Sequence, residues 1–318
     1  MQKVFLTEHI HDDAVAYLKE NFEVVQGTST EASEIIKQAQ GCSAILIRSA
    51  KITAEVMDAI PTLKVVAKHG MGVDNIDVEH ATEKGILVVN APFSNLNAVA
   101  EHIVMLLISC SKRTVRMDKL TRAGQFKERN TYKTIELKGS TVGIIGMGKI
   151  SRMVVKKLSG FEMNMIASDP FVKQEDLGDL PVKMVSAEEV YKNSDFVIIH
   201  TSLFPSTFHL CGAEQFKMMK NTAYVINAAR GPVVDEEAMI AAINAGEIAG
   251  AGLDVFEQEP PAADNALFAQ EDNVLSPHNA ALCDGALRAM AMDSSMGITE
   301  YLTGKPVTYP VNGKVLEA

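Results

Sequence analysis

The stretch T141-V-G-I-I-G-M-G-K-I150 decides the fold, because an apolar strand runs there into a glycine turn and then a helix. Gly146 permits a tight turn. Gly148 lets an anionic group approach the backbone at the helix N-terminus, where unpaired N–H groups and the helix dipole favour negative charge. The combination reads as a dinucleotide site in a parallel α/β sheet. Ser151 stands where G-x-G-x-x-G has its third glycine and is small enough to keep helix and strand close. The next strand ends at Asp169, near the spacing of about twenty residues at which a carboxylate accepts from ribose hydroxyls and repels a 2′-phosphate. Lys173 is the nearest cation after it, so NAD is expected over NADP. A carboxylate before Pro170 also suits a plain turn.

Outward from this turn, short β-branched runs alternate with polar stretches of helical length. Lys3–Leu6, Ala44–Ile47, Lys64–Ala67 and Leu87–Val89 precede it as expected buried strands. Thr141–Ile145, Met165–Ser168, Phe196–His200, Ala223–Asn227, Gly252–Val255 and Val274–Ser276 form the second set. The fold class is α/β: two Rossmann-like or flavodoxin-like domains with parallel sheets and helices on both faces. An apolar helix, N97-A-V-A-E-H-I-V-M-L-L-I-S-C-S111, follows the first set, with Asn97 as its expected cap. A second helix, 286–302, is expected to return to the first domain. The reading is therefore a substrate domain of residues 1–96 and 285–318, into which an NAD-binding domain, 97–284, is inserted.

Composition narrows the partners. A formal net charge of −10 over 318 residues argues against nucleic acid and anionic membranes, which need clustered Lys and Arg. Cys42, Cys110, Cys211 and Cys283 are far apart and form no metal-binding or redox pair, so free thiols in a reducing compartment are expected and no metal. Glu8, Asp12 and Asp13 interrupt any signal peptide, and the apolar run Ile103–Ile108 is too short to span a bilayer. A cytoplasmic protein is expected.

Three polar residues late in the chain say what a bound nucleotide would be used for. Arg230, in V225-I-N-A-A-R-G-P-V-V-D235, lies just past a strand end, where open α/β sheets meet their ligands. A guanidinium there can hold a carboxylate through two parallel hydrogen bonds and polarise the adjacent carbonyl. His278, in L275-S-P-H-N-A-A281, follows another strand. Beside a carboxylate, a histidine can stay protonated near neutrality and donate to a developing alkoxide. Glu259 is one candidate for that carboxylate; spacing leaves Glu257 and Glu271 as rivals.

The chain resembles the D-isomer-specific 2-hydroxyacid dehydrogenases, and among them the phosphoglycerate dehydrogenases most. The resemblance rests on R48-S-A-K-I-T53, H69-G-M-G-V-D-N-I-D77, N97-A-V-A-E-H102, the glycine turn, H200-T-S-L203, N227-A-A-R-G-P-V-V-D235, A251-G-L-D-V-F-E-Q-E259 with Pro260, and S276-P-H-N-A280. It implies that Arg230 binds substrate carboxylate and carbonyl, that His278 is the acid–base, and that Glu259 raises and orients it. Arg48, Gly72 and Val73 would meet the substrate. Lys149 and Ile150 would flank the pyrophosphate, and Thr201, Ala228, Ala229 and Asp254 would line the cofactor, Asp254 near the nicotinamide carboxamide. A homodimer through the Asn97–Ser111 helix is implied as well.

Departures from the family pattern bear on the substrate. Lys68-His69 replaces a common Arg-Ala, Met71 replaces a small or hydroxylated residue, and Ser202 replaces a usual proline. No regulatory domain follows the return helix, so feedback by serine is not expected. Arg48 and Lys68 are available for a phosphate, which favours 3-phosphoglycerate; hydroxypyruvate, glyoxylate or another short 2-oxo acid is the alternative. An NAD-sensing corepressor on the same scaffold is a more distant reading, since a sensor has no need of Arg, Glu and His together. A formate dehydrogenase would pair its histidine with glutamine instead.

Overall fold

A computed structural model describes residues 1–317, which form two compact units: 1–95 with 281–317, and 96–280. In the first unit the strands are β1 (Lys3–Leu6), β2 (Glu23–Gln26), β3 (Ala44–Ile47), β4 (Val65–Lys68) and β5 (Leu87–Val89). They pair in the order β2-β1-β3-β4-β5, all parallel. Helices α1 (Asp12–Lys19), α2 (Ala32–Gln38), α3 (Ala54–Asp58) and α4 (Val78–Glu83) connect them.

Alternation along each strand sends side chains to two cores. Phe5, Ile45, Ile47, Val66 and Val88 face Ile35, Val56 and Ala81 on α2, α3 and α4. Val4, Leu6, Ala44, Leu46, Val65 and Ala67 face Ala14 and Leu18 of α1, together with Ala291 and Ile298. The last two belong to the long helix Asp284–Leu302, which therefore closes the first sheet from the far end of the chain. Its Gly297 lies so near β5 that a Cβ there would stand 3.0 Å from Val89 Cγ2.

The second unit opens with α5 (Leu96–Lys112) and α6 (Thr114–Arg122). Its strands are β6 (Thr141–Ile145), β7 (Asn164–Ser168), β8 (Lys183–Met184), β9 (Phe196–Ile199), β10 (Tyr224–Asn227), β11 (Gly250–Leu253) and β12 (Val274–Leu275). Between them run α7 (Lys149–Leu158), α8 (Ala187–Asn193), α9 (Ala213–Met218) and α10 (Glu236–Ala245); the long helix of the first unit is α11. The order β12-β11-β10-β9-β6-β7-β8, parallel throughout, reverses direction between β6 and β9. Helices α8, α9 and α10 pack on one face, where Val197, Ile199, Val225, Ala251 and Leu253 meet Val190, Phe216 and Met239. On the other face α5 comes within 3.2 Å, at Leu106 Cβ, of where a Cβ on Gly252 would stand.

Three local expectations are corrected. Asn97 lies inside α5 and does not cap it; its amide donates to Glu101 Oε1 at 2.8 Å, one turn on. The half-exposed edge strand β2 and the two-residue β8 were not anticipated, because a short polar strand carries no apolar run. Several strand ends also move: β11 begins at Gly250 and ends at Leu253, so Asp254 and Val255 fall in the loop that follows.

Asn312 ties the chain's last segment to the first sheet. Its Oδ1 accepts from Val88 N at 2.7 Å and its Nδ2 donates to Ile86 O and Thr82 Oγ1, both at 3.0 Å. Asn312→Leu leaves a buried N–H and a buried carbonyl unpaired, a loss of about 2–4 kcal/mol. Urea unfolding should therefore show a matching fall in midpoint, and an unchanged midpoint would refute the tie.

Candidate functional site

The reversal between β6 and β9 leaves a crevice at the carboxyl ends of those strands, the place where open α/β sheets bind ligands. Gly146 lies there with φ +92°, in the left-handed region; a Cβ would stand 2.4 Å from His200 O and 2.7 Å from Thr201 Cγ2. Only glycine fits. Gly148 is the N-cap of α7, with no side chain capping the helix and open space where its Cβ would be. Ser151 is fully buried and donates to Gly146 O at 2.6 Å, pinning the turn to the helix. Lys149 and the buried Ile150 open α7.

Asp169 does two things at once. Its Oδ1 accepts from Phe171 N at 2.8 Å, which is the turn reading, while Oδ2 accepts from Met147 N at 2.7 Å and so reaches the glycine turn. Across the crevice, the buried Thr201 Oγ1 and His200 Nδ1 have no hydrogen-bond partner. A free helix N-terminus, a carboxylate beside the turn and an orphaned hydroxyl suit a dinucleotide. Ala228 and Ala229, nearly buried, follow β10, where the Ala229 N–H donates to Asn227 Oδ1 at 2.9 Å.

Arg230 stands next in the chain, with Nη1 donating to Ala229 O at 2.7 Å. Its neighbour Gly231 explains how two loops meet, because a Cβ there would lie 1.8 Å from Phe256 O. The loop after β11 is thus pressed against the loop after β10, and it carries Glu259. Glu259 Oε2 lies 2.7 Å from His278 Nδ1, and Oε1 accepts from Phe256 N at 3.1 Å. Burial alone would raise the Glu259 pKa, but the hydrogen bond and charge of His278, the Phe256 N–H and Arg230 outweigh it and hold the carboxyl below the ordinary glutamate value. The two rivals are engaged elsewhere: Glu257 with His209 at 2.8 Å, and Glu271 with Lys119 at 2.6 Å.

His278 has φ +50°, a left-handed backbone that non-glycine residues rarely adopt. Its side chain is half exposed, with Nδ1 turned to Glu259 and Nε2 left for other chemistry. A cavity of about 350 Å³ adjoins the pair, lined by Phe256, Pro260, Phe268, Leu275 and Pro277 among others. Asp254, only 1% exposed, faces inward, and its carboxylate takes the N–H groups of Asn279 and Ala280 at 2.9 Å each and the Ser276 hydroxyl at 2.6 Å. Burial opposes ionisation there, yet His102, Ser276 and the two backbone donors keep the Asp254 pKa below the ordinary aspartate value. His102 and Ser276 stand at the ends of two motifs the sequence shows, but the sequence assigns no role to either, and their part emerges only from this contact.

The candidate substrate residues lie in the first unit, beside its own strand-order reversal between β1 and β3. Glu8 accepts from the backbone N–H of Arg48 at 3.0 Å, and Arg48 Nη1 donates to His9 O at 3.2 Å. Lys68 Nζ donates to Arg48 O and to Asn75 Oδ1. Gly72 and Val73 are partly exposed between β4 and α4, and Val73 packs on the core beneath. Among the described residues no cluster of potential metal ligands occurs, and no helix is long and apolar enough to cross a membrane.

Residues 104–280 match the model of the D-isomer specific 2-hydroxyacid dehydrogenase, NAD binding domain. The chain belongs to that family. It is 38% identical over 312 residues to a D-3-phosphoglycerate dehydrogenase of Archaeoglobus fulgidus, covering 98% of this chain and 59% of that protein. It is 35% identical over 324 residues to a glyoxylate reductase of Thermococcus onnurineus, covering 99% and 97%. The chain thus spans about 60% of the length of its phosphoglycerate dehydrogenase relatives. Among solved structures, a glyoxylate reductase from Paecilomyes thermophila superposes with a TM-score of 0.89 at 26% identity, over 98% of this chain and 99% of that one. Escherichia coli D-lactate dehydrogenase does so with 0.85 at 26%, over 98% and 100%.

With this carboxylate pattern, acid stability has a definite sign. Glu259 and Asp254 titrate below their ordinary values of 4.5 and 3.8, so each stabilises fully above that value and loses its contribution as pH falls through the lower folded value. Glu259→Gln should reduce stability at neutral pH by about 1 kcal/mol, kept small by the carboxylate's partial exposure. The gap to wild type should close as pH falls below the glutamate range. Urea unfolding at a series of pH values reads this directly, and a gap that widens toward acid would exclude an ionised Glu259.

Proposed function

We propose that this chain is an NAD-dependent D-2-hydroxyacid dehydrogenase acting on a 2-hydroxy/2-oxo acid pair. The observation that carries the reading is the 2.7 Å contact of His278 Nδ1 with Glu259 Oε2, beside the loop of Arg230. The nicotinamide, when bound, gives or takes the hydride. Arg230 holds the substrate carboxylate and draws charge toward the 2-oxo oxygen. His278 donates its Nε2 proton to that oxygen as it becomes an alkoxide, and takes it back in the other direction. Glu259, kept ionised, orients the ring through Nδ1. Gly146, Gly148, Lys149 and Ile150 take the pyrophosphate, Asp169 takes the adenosine ribose, and Thr201, Ala228, Ala229 and Asp254 complete the cofactor's surroundings. Arg48, Gly72 and Val73 serve the substrate. The chain acts as a cytoplasmic homodimer in this reading, supported by three buried free thiols and by exposed Met105, Val115 and Phe126 on and beyond α5 and α6.

The pair 3-phosphoglycerate and phosphohydroxypyruvate is the first substrate choice, supported by the relatives of that name. A short unphosphorylated acid such as glyoxylate or hydroxypyruvate is the second. A specific contact favours it: Lys68, one of two cations available for a phosphate, is turned to Arg48 O and Asn75. Initial rates of NADH oxidation with phosphohydroxypyruvate, hydroxypyruvate, glyoxylate and pyruvate decide between them. His278→Ala should lower kcat at least a hundredfold on whichever acid is best. No turnover of any of the four by wild type would sink the dehydrogenase reading.

Cofactor choice has its own test. Asp169→Ser removes the charge that opposes a 2′-phosphate, so the ratio of kcat/KM for NADPH to that for NADH should rise about tenfold or more. An unchanged ratio would remove Asp169 from the ribose site.

A further inference from the structure

His102 stands one helix away from the His278–Glu259 pair, yet it sits at the root of the turn that carries His278. It projects from α5 with 13% of its side chain exposed, and Nε2 lies 2.9 Å from Ser276 Oγ and 3.3 Å from Asp254 Oδ1. Ser276 Oγ in turn donates to Asp254 Oδ1 at 2.6 Å. One hydroxyl hydrogen cannot serve two acceptors, and Leu253 O lies 3.2 Å away as an alternative. A donor on the hydroxyl oxygen leaves that hydrogen for an acceptor, and Asp254 is the nearer of the two. The imidazole supplies that donor when Nε2 bears the proton, the tautomer the network requires.

Asp254 then binds the turn from several sides. Its carboxylate receives Ser276, Asn279 and Ala280, and its backbone carbonyl accepts from His278 N at 2.8 Å. These ties enclose the one residue of the turn with a left-handed backbone, His278 at φ +50°. Such a backbone costs about 1–3 kcal/mol at a non-glycine residue and persists only where its surroundings impose it. That backbone sets where the His278 side chain starts, and from there Nδ1 meets Glu259 Oε2 at 2.7 Å.

We infer that His102 is a positioning residue for His278: through Ser276 and Asp254 it sets the turn 276–280 and so the His278–Glu259 alignment. The inference rests on the dehydrogenase reading for its effect on rate, but not for its effect on the imidazole. His102→Phe keeps a ring of similar size and removes the donor. His102→Gln places an amide N–H near the former Nε2. Ser276→Ala breaks the relay without adding volume and serves if the phenylalanine variant does not fold.

Two readouts are taken on the full chain. Long-range ¹H–¹⁵N spectra of histidine-labelled protein report which ring nitrogen of His278 bears the proton, its signal being assigned by its absence in His278→Gln. Steady-state kinetics with NADH and the best 2-oxo acid separate kcat from KM. Wild type should show a proton on Nδ1, facing Glu259. His102→Phe and Ser276→Ala should shift that signal toward the mixture of a free imidazole and lower kcat about tenfold, with both KM values within about twofold. His102→Gln should recover most of both. A native His278 signal in His102→Phe and Ser276→Ala would overturn the inference, whether activity is kept or is lost along with thermal stability. If wild type turns over no 2-oxo acid, the functional reading falls while the His278 spectra still decide the positioning.

Discussion

A buried carboxylate governs the chemistry-bearing half of this chain. Asp254 has almost no exposed surface, and an ion in that position must be met by donors or it will not stay ionised. The donors it finds are the backbone N–H groups of Asn279 and Ala280, the Ser276 hydroxyl and His102. Satisfying Asp254 therefore forces residues 276–280 into one path. His278 lies in the middle of that path with a backbone it would not adopt alone. A desolvation penalty at one residue is converted into the orientation of another.

A second constraint acts on the neighbouring loops. At Gly231 the backbones after β10 and β11 approach until no side-chain atom fits between them. Arg230 precedes that glycine and Glu259 follows the loop on the other side, so close packing of main chain brings the guanidinium's field onto the carboxylate. Burial pushes Glu259 toward its neutral form, and Arg230, Phe256 N and His278 push back harder. The pair is thus a balance among neighbours acting on a charge, which a glutamine of nearly the same shape would not carry.

The parallel strands were legible in sequence because a sheet covered on both faces leaves unbroken β-branched runs such as A44-I-L-I47 and F196-V-I-I199. The glycine turn was legible because steric demand at Gly146 leaves no alternative residue. The edge strand E23-V-V-Q26 was hidden, since a half-exposed strand carries no such run. The choice among Glu257, Glu259 and Glu271 could not be made from spacing, because it depends on which loop Gly231 lets close. The link between His102 and Ser276 was the least visible: both stand in motifs the sequence shows, but their contact joins residues 174 positions apart.

The same physics separates reaction from substrate. The residues proposed for proton transfer, His278 and Glu259, lie within 96–280 and are joined by a 2.7 Å hydrogen bond. The residues proposed to read the rest of an acid, Arg48, Gly72 and Val73, belong to the first unit, on loops after β3 and β4. Lys68 shows how such a loop can change its preference without touching the reaction, because a lysine that hydrogen-bonds Arg48 O and Asn75 supports the loop from within. Its ammonium is then part of the fold's own hydrogen bonding, and recruiting it to a phosphate would mean giving up those bonds. A phosphorylated substrate has to repay that loss through Arg48 and the dianion's own charge, whereas a short acid has nothing to repay. In the proposed reading, specificity accordingly turns on the energy of an internal lysine contact, while the His278–Glu259 contact is set within its own unit.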